Sequence, residues 1–177
     1  MATSVSSPPA SATNGEIIRW SFEVLNTRDI APLRELWTQD TVERFPDRSC
    51  RGTDEIADYF EQIFAALPDF RIEVRALVEQ DEHVFAQWHL TGTHSGADFQ
   101  GIEATGRPLE IDGMDHFVLR DRKVVSNFVV YDQMQFARQI GLMPQEGSGA
   151  DRALKLAFNA KTTLEKRIRE VRSGAGG

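Results

Sequence analysis

The sequence predicts an α+β domain in which a curved antiparallel sheet wraps around N-terminal helices, with an added C-terminal helix. In the first part of the chain, to about residue 67, apolar residues recur at the spacing of one helix face. From residue 70 to residue 131 they alternate along runs that short polar turns separate. Helices followed by an antiparallel meander favour a two-layer domain whose sheet curves around the helices.

Length and composition fit one domain with tails. The chain has 177 residues, of which 41% are hydrophobic, and this is enough for one core. The net charge of −7 argues against a nucleic-acid partner, since phosphate binding needs clustered Lys and Arg. No stretch reaches the apolar length of a membrane span, so no membrane partner is expected.

The N-terminus and the cysteine content predict a cytoplasmic protein. Residues 1–14 are mostly Ser, Ala, Thr and Pro, without the basic start and apolar run of a signal peptide, and we expect them to be disordered. Cys50 is the only cysteine, so no intrachain disulfide can form, and a reducing compartment fits.

Three helices are expected before residue 68. The first covers residues 16–25, where apolar side chains form a wide stripe. The second runs over residues 29–37 with Asp29 as its cap. The third covers residues 54–67, has Thr53 as its cap, and ends before Pro68.

Alternation places the strands that precede the central hairpin. A short strand covers residues 41–45, and residues 46–49 form the turn that ends it. The strand at 70–79 loses its alternation around Ala76, which indicates a β-bulge. A strand at 83–93 follows, and the long loop 94–107 is where a cup-shaped domain would open.

A β-hairpin and a short helix form the centre of the predicted fold. Two β-rich runs, 114–119 and 124–131, flank the charged turn 120–123. From Asp132 the apolar spacing becomes helical and ends before Gly141, as at a helix C-terminus. We expect Asp132 to cap this helix.

The hairpin is predicted to be apolar on both faces. With Arg120 opposite Lys123 or Val124, the inner face carries Asp115, Phe117, Leu119, Val125, Asn127, Val129 and Tyr131. The outer face carries His116, Val118, Phe128 and Val130. Since the apolar residues of both faces must be shielded from water, we expect helices on the inner face and a second subunit on the outer one. This predicts a homodimer.

An acid and an amide among hydrophobic residues predict a pocket for a small apolar molecule. We expect Asp115 to be a general base, because a sheltered carboxylate has a raised pKa. Asn127 would orient it or donate to a developing enolate, and the adjacent His116 completes the catalytic set. The predicted substrate-binding residues are Trp37, Phe60, Trp88, His94, Phe117, Val129 and Tyr131. The alternative for Asp115 is a structural acid with a partner, or an exposed acid if the register slips.

Neither a metal nor another cofactor is expected. His83 and His89 share a strand face but lie about 20 Å apart, so they cannot chelate together. His94 and His116 have no ligand partner at close spacing. The sequence contains no Gly-rich phosphate loop, dinucleotide fingerprint or Gly-x-Ser-x-Gly motif.

The C-terminal part differs from the domain, which is expected to cover residues 15–142. Residues 143–150 are a linker, and Asp151 is expected to cap a helix within residues 151–177. Residues 151–172 contain seven basic and three acidic residues, about +4, which leaves −11 for the rest. This complementarity predicts that the helix docks on its own domain or on a partner subunit. The alternative is a partly frayed, solvated helix.

Several segments resemble a known family. They are the run 131–141, Leu67-Pro68-Asp69-Phe70, the run 90–96, and Ala104-Thr105-Gly106-Arg107-Pro108. Together with the hairpin they resemble the SnoaL-like polyketide cyclase group of the NTF2-like superfamily, from Glu16 to Leu142. The resemblance implies a cone-shaped fold. Its motifs belong to the scaffold, so they specify fold better than chemistry.

The resemblance also implies a difference in the site. In the cyclases of this family an Asp on the final strand is the acid–base residue, and a His on the preceding strand faces it. These positions fall on Val129 and Asp115 here, while Asp132 matches a family Asp interpreted as structural. We therefore predict cofactor-independent cyclase- or isomerase-type chemistry on an apolar carbonyl compound, with Asp115 as the base. The alternative is a non-catalytic protein of the same fold that binds a small molecule.

Overall fold

The structure is a computed structural model that describes residues 7–174, with side chains to residue 170. It confirms the predicted α+β class, with helices against a curved six-stranded sheet. The helices are α1 (Asn14–Leu25), α2 (Gly52–Ala66), α3 (Gln133–Gln139) and α4 (Gly149–Gly174), with a 3₁₀ helix at Ala31–Leu36. The strands are β1 (Val42–Arg44), β2 (Ser49–Arg51), β3 (Arg71–Gln80), β4 (His83–Thr93), β5 (Pro108–Arg120) and β6 (Lys123–Tyr131).

The sheet is antiparallel except for one pair of strands. Its order is β2-β1-β6-β5-β4-β3, and β1 runs parallel to β6. Pairing of β1 with β6 brings a strand from the first third of the chain beside the central hairpin. This contact places a residue of β1 in the functional site described below.

The N-terminal helices begin and end close to the predicted residues. Helix α1 starts two residues early, at a capping box in which Thr13 and Glu16 bond each other's backbone N–H. The prediction that Asp29 caps the second helix is wrong, because a 3₁₀ helix begins at Ala31 and Ile30 is its N-cap. Asp29 Oδ1 still accepts a hydrogen bond from the backbone N–H of Ala31.

The prediction that Thr53 caps the third helix is wrong. Helix α2 already begins at Gly52, whose φ of 77° is in the left-handed region that favours glycine. Gly52 connects β2 directly to the helix, so Thr53 lies inside the first turn. The backbone N–H of Arg51 is bonded instead by the Glu55 carboxylate.

The sheet has one strand more than predicted, and β5 is longer than the run predicted at residues 114–119. The bulge expected near Ala76 is confirmed, since the β3–β4 register shifts between Val74 and Ala76. Ser49, predicted as the end of a turn, begins the additional strand β2. Strand β5 starts at Pro108 because Leu109 and Ile111 are buried while Glu110 and Asp112 point outward, which continues the alternation.

The hairpin register agrees with the prediction except at its turn. Arg120 pairs with Lys123, Asp115 with Val129, and Phe117 with Asn127. The prediction that Val125 faces inward is wrong. The register shifts between Val118 and Leu119, so Val125 is an extra residue and becomes exposed while Val124 is buried.

The core lies between the N-terminal helices and the inner face of the sheet. Ile17 and Ile18 of α1 and Ile56 of α2 are fully buried there. Phe85, Met114, Phe128 and Val130 lie on the outer face and are exposed. The two cavities described in the next subsection lie on the inner side of the sheet.

The C-terminal segment begins as predicted and then extends from the domain. Asp132 caps α3, since its Oδ1 accepts from the backbone N–H groups of Met134 and Gln135. The prediction that Asp151 caps the last helix is wrong, because α4 begins at Gly149 and the Ser148 hydroxyl accepts from the backbone N–H of Asp151. Between residues 151 and 170, the side chains are exposed except for buried Asp151 and half-buried Thr162.

The exposure of α4 excludes close docking of this helix on its own domain, one of the two predicted arrangements. The other arrangement, docking on a partner subunit, stays a prediction. Within residues 7–174 no helix combines the length and the hydropathy needed to cross a membrane. The predicted disordered tail lies partly outside the described residues.

Candidate functional site

A cavity lies between α1, α2 and the inner face of the sheet. Its volume is about 110 Å³, close to that of cavities that hold a benzene-sized ring. Its wall is almost entirely apolar. Six of the residues predicted for the site line it: Phe60, Trp88, His94, Asp115, Val129 and Tyr131.

A second, smaller cavity lies beside the first. Its volume is about 30 Å³, which is room for one or two water molecules. Trp37, Phe117 and Asn127 line this second cavity and not the first. Asp115 and Phe60 line both, so the carboxyl of Asp115 lies where the two cavities meet.

Asp115 is a buried carboxyl held by two donors. It lies on β5, directly opposite Val129 of β6, and is 7% exposed. Its Oδ1 accepts from Trp88 Nε1 at 3.0 Å, and its Oδ2 accepts from Asn127 Nδ2 at 3.3 Å. Burial raises the pKa of Asp115 to about 7, although both hydrogen bonds act to lower it. This carboxyl can therefore gain or lose a proton near neutral pH.

Glu43 is a second buried carboxyl, and the sequence analysis did not identify it. It is 2% exposed and lies beside Asn127, its register partner across the parallel β1–β6 pair. Its Oε1 accepts from Trp37 Nε1 at 2.8 Å, and its Oε2 accepts from Asn127 Nδ2 at 3.4 Å. Burial, and then the charge of Asp115, raise the pKa of Glu43 to about 8.

A signal for Glu43 was present in the sequence. In the strand predicted at residues 41–45, alternation puts Thr41, Glu43 and Phe45 on one face. Because Phe45 is apolar, that face is the one expected to point inward. The contact of Glu43 with the predicted catalytic pair depends on the parallel pairing of β1 with β6, which alternation does not reveal.

The polar groups form a hydrogen-bonded row across the sheet. In order they are Trp37, Glu43, Asn127, Asp115 and Trp88. Each of the four carboxyl oxygens accepts one hydrogen bond in this row. Asn127 Oδ1 is buried without a hydrogen-bond partner. Among the described residues, no Lys or Arg lines either cavity.

His94 contributes a second polar group to the wall of the main cavity. It is 2% exposed, whereas loop histidines are usually exposed, and its backbone is anchored by hydrogen bonds to Arg107 and Gly106. Its Nδ1 lies 3.4 Å from the Thr105 hydroxyl, and its buried Nε2 has no partner. A ligand in the cavity can therefore form a hydrogen bond with His94 Nε2.

Two tyrosines add hydroxyl groups to the main cavity. The Tyr59 hydroxyl donates to Asp47 Oδ1 at 2.8 Å, which engages its proton. Burial raises the pKa of Tyr131 to about 12, although a hydrogen bond with the Gln100 side chain lowers it, so this hydroxyl keeps its proton and can still donate it. The polar contacts open to a ligand are thus Asp115, His94 and Tyr131.

His116 does not reach the cavity. Because neighbouring side chains on a strand point to opposite faces, His116 lies on the outer face of the sheet. Its Nε2 is 2.9 Å from His83 Nδ1, and its ring stacks on Phe85 with the centroids 4.2 Å apart. Burial and then His83 lower the pKa of His116. Its inclusion in the catalytic set is therefore corrected.

Asp112, an acid of β5 three residues before Asp115, lies outside the site as well. It bonds His89 Nδ1 at 2.8 Å, and its side chain is exposed. No cluster of three or more His, Cys, Asp or Glu side chains with metal-binding geometry occurs in the described part of the chain.

The comparisons with known proteins identify a family and a fold. The family model described as SnoaL-like polyketide cyclase matches residues 15–140. Among solved structures, IdmH of Streptomyces antibioticus, a proposed polyketide cyclase, is 24% identical with a TM-score of 0.62, over 73% of this chain and 99% of that chain. AclR of Streptomyces galilaeus, a proposed hydroxylase, is 21% identical with a TM-score of 0.59, over 71% and 99%.

A third structure, a proposed polyketide cyclase of Pseudomonas putida, is 17% identical with a TM-score of 0.63, over 73% of this chain and 98% of that chain. At these identities the likeness concerns the fold. The comparison with curated proteins returned no significant match.

Proposed function

Because the chain belongs to the SnoaL-like polyketide cyclase family, as the resemblance of residues 16–142 predicted, we propose that it is an enzyme that acts on an apolar carbonyl compound by cofactor-independent acid–base chemistry of the cyclase or isomerase type. The observation that carries the proposal is the position of Asp115. Its carboxyl lines an apolar cavity, and burial raises its pKa to about 7, so it can take up or release a proton near neutral pH.

The cavity selects the class of ligand. Its described wall has no cation and is almost entirely apolar, which disfavours a charged ligand. His94 Nε2 and the Tyr131 hydroxyl offer hydrogen bonds to a carbonyl or hydroxyl oxygen. A neutral ring compound with an oxygen substituent fits this wall.

Asp115 would perform a proton transfer at a carbon next to the carbonyl group. The Asp115 carboxylate takes the proton, the electrons of the C–H bond move toward the carbonyl oxygen, and an enolate or enol forms. The neutral carboxyl then returns the proton to carbon. Trp88 Nε1 and Asn127 Nδ2 hold the carboxyl in place during both steps.

The different position of the acid in this chain is compatible with the proposed chemistry. The family acid falls on Val129, which is the register partner of Asp115 on the neighbouring strand. Side chains of such partners lie on the same face, with β-carbons about 5 Å apart. A carboxyl on β5 can therefore reach the same part of the cavity as a carboxyl on β6.

Proton exchange on a simple ketone tests the proposal without knowledge of the natural substrate. The probe is 2-tetralone in D₂O, followed by NMR as its acidic C–H protons are replaced by deuterium. We expect wild-type protein to accelerate the exchange. Asp115→Asn, which keeps the shape and removes the base, should reduce the acceleration about 100-fold or more.

Asp112→Asn is the matched control, because it makes the same change on the outer face of the same strand. Its exchange rate should equal that of wild type. Wild-type exchange by Asp115→Asn would contradict the role of Asp115 as the base.

The alternative function is non-catalytic binding of a small apolar molecule. The absence of the family acid at Val129 favours it. In that case 2-tetralone binds, as a shift of the NMR signals of residues around the cavity shows, but neither wild type nor Asp115→Asn accelerates its exchange. Such a result would support the binding protein over the enzyme.

A further inference from the structure

We propose that Glu43 and Asp115, which the Asn127 amide bridges, titrate as a coupled pair that holds one proton on one acid or the other, so that Glu43 sets the base strength of Asp115 without contacting the ligand. The sharing stands on the geometry of the row alone, and its catalytic consequence rests on the function proposed above. Glu43 is therefore a positioning residue for the proton on Asp115.

The strand register brings the two carboxyls to one amide. Glu43 is the partner of Asn127 in the parallel β1–β6 pair. In the antiparallel β5–β6 pair Asn127 is opposite Phe117, and Asp115 is the next inward-facing residue of β5. The Asn127 amide nitrogen lies 3.4 Å from Glu43 Oε2 and 3.3 Å from Asp115 Oδ2, so its two hydrogens serve the two acids.

The surroundings of the two carboxyls stabilise one negative charge better than two. Both carboxyls are buried, and no described Lys or Arg lines either cavity to compensate their charges. A neutral carboxyl needs an acceptor for its proton. Asn127 Oδ1, buried and unpartnered, is an acceptor that a rotation of the amide brings to either acid.

The other titratable groups around the row do not replace either acid. Cys50 faces Glu43 from β2, and burial raises its pKa to about 11. In the main cavity, burial raises the pKa of Tyr131 to about 12 and raises that of Tyr59 as well. His94 lines the main cavity and not the second one, which Glu43 lines.

The position of Glu43 gives it a defined effect on the base. Proton abstraction moves negative charge from Asp115 to a ligand in the main cavity, and Glu43 lines only the second cavity. The negative charge of an ionised Glu43 therefore destabilises the Asp115 carboxylate more than it destabilises the enolate of the ligand. This makes Asp115 a stronger base. The rate should rise once as Asp115 ionises and again as Glu43 ionises.

The first arm of the test is a titration that needs no ligand. The ¹³C signals of the two carboxyl carbons are followed by NMR from pH 5 to pH 10 in wild type, Glu43→Gln and Asp115→Asn. We expect two-step titration curves in wild type, since groups that interact by more than about one pKa unit titrate as a pair. Asp115 should titrate in one step in Glu43→Gln, and the pKa of Glu43 should fall by about one unit in Asp115→Asn.

Ser21→Ala is the matched control, since Ser21 lines the second cavity and carries no titratable group. It should keep the two-step curves. Single-step curves in wild type, with Glu43 unchanged in Asp115→Asn, would overturn the sharing. The Asp115→Asn arm decides the question even where Glu43→Gln does not fold.

The second arm is the pH dependence of kcat/KM for exchange on 2-tetralone. Wild type and Glu43→Gln should agree near pH 7, and by pH 9 wild type should be about threefold faster or more, because its base is strengthened by the ionised Glu43. Identical profiles would overturn the catalytic consequence. Coupled titration without any exchange in wild type would leave the shared proton standing and overturn the proposed enzyme.

Discussion

The indole ring of Trp88 lies against the backbone of Gly113, its register partner on β5, where a β-carbon would come 2.2 Å from Trp88 Cζ2. This contact leaves no room for a side chain at residue 113. In this position Trp88 Nε1 reaches Asp115 Oδ1, two residues further along β5. The glycine therefore permits the hydrogen bond that holds the candidate base.

We predict that Gly113→Ala displaces Trp88 and destabilises the domain by about 1–3 kcal/mol, the usual cost of overpacking a core. Loss of the indole hydrogen bond should raise the pKa of Asp115, because that bond lowers it in wild type. Urea unfolding measures the first effect and carboxyl NMR the second. Gly149→Ala is the control, since a β-carbon there meets nothing within 4 Å. Wild-type stability and tryptophan fluorescence in Gly113→Ala would contradict the packing.

The buried acids should make the domain less stable as the pH rises from 5 to 7. The pKa of Glu43 rises from 4.5 to about 8 on folding and that of Asp115 from 3.8 to about 7, so the folded chain keeps protons that the unfolded chain releases. Stability falls where the folded state binds more protons, by up to about 1.4 kcal/mol per pH unit for each group.

Glu43→Gln should reduce the loss of stability per pH unit by about the contribution of one group. The measurement is urea unfolding at pH 5, 6 and 7, with Glu103→Gln, a change at an exposed acid, as the control. If both variants keep the wild-type slope, Glu43 is not protonated in the folded domain.

We predict a homodimer that forms through the outer face of the sheet. Phe85, Met114, Phe128 and Val130 are between 43% and 52% exposed on this face, and burial of such a patch stabilises association. Light scattering at micromolar concentration should give twice the mass of one chain for wild type and the mass of one chain for Phe128→Glu. Met134→Glu, at an exposed position of α3, should remain dimeric. Wild type at the mass of one chain would contradict this interface.

Helix α4 should be dispensable for the stability of the domain. Its side chains between residues 152 and 170 are exposed except for half-buried Thr162, so removal of the chain from residue 152 onward loses little packing. We expect the free energy of unfolding to change by less than about 1 kcal/mol in urea. A loss of several kcal/mol would show that α4 packs on a subunit, and light scattering of the truncated protein would then show whether the dimer depends on it.

The strand patterns were sufficient to predict the fold class and much of the hairpin. Alternation is a local property, so it identified the bulge near Ala76 and the inward face of Asp115, Asn127 and Val129. It failed at Val125, because the register shift depends on how β5 and β6 fit together near their turn. It also failed for His116, which was grouped with Asp115 by adjacency although the same alternation puts it on the opposite face.

The sequence by itself thus determined the α+β class, the family and an acid in an apolar cup, since periodicity and motifs are encoded within short segments. Only the tertiary structure showed that Glu43 lies beside Asn127, because these residues are 84 positions apart and meet through a parallel strand pair. Only the tertiary structure showed two neighbouring cavities and placed Asp115 in the wall of both. The raised pKa values of both acids have the same origin, since burial depends on the packing of the whole core and not on neighbours in the chain.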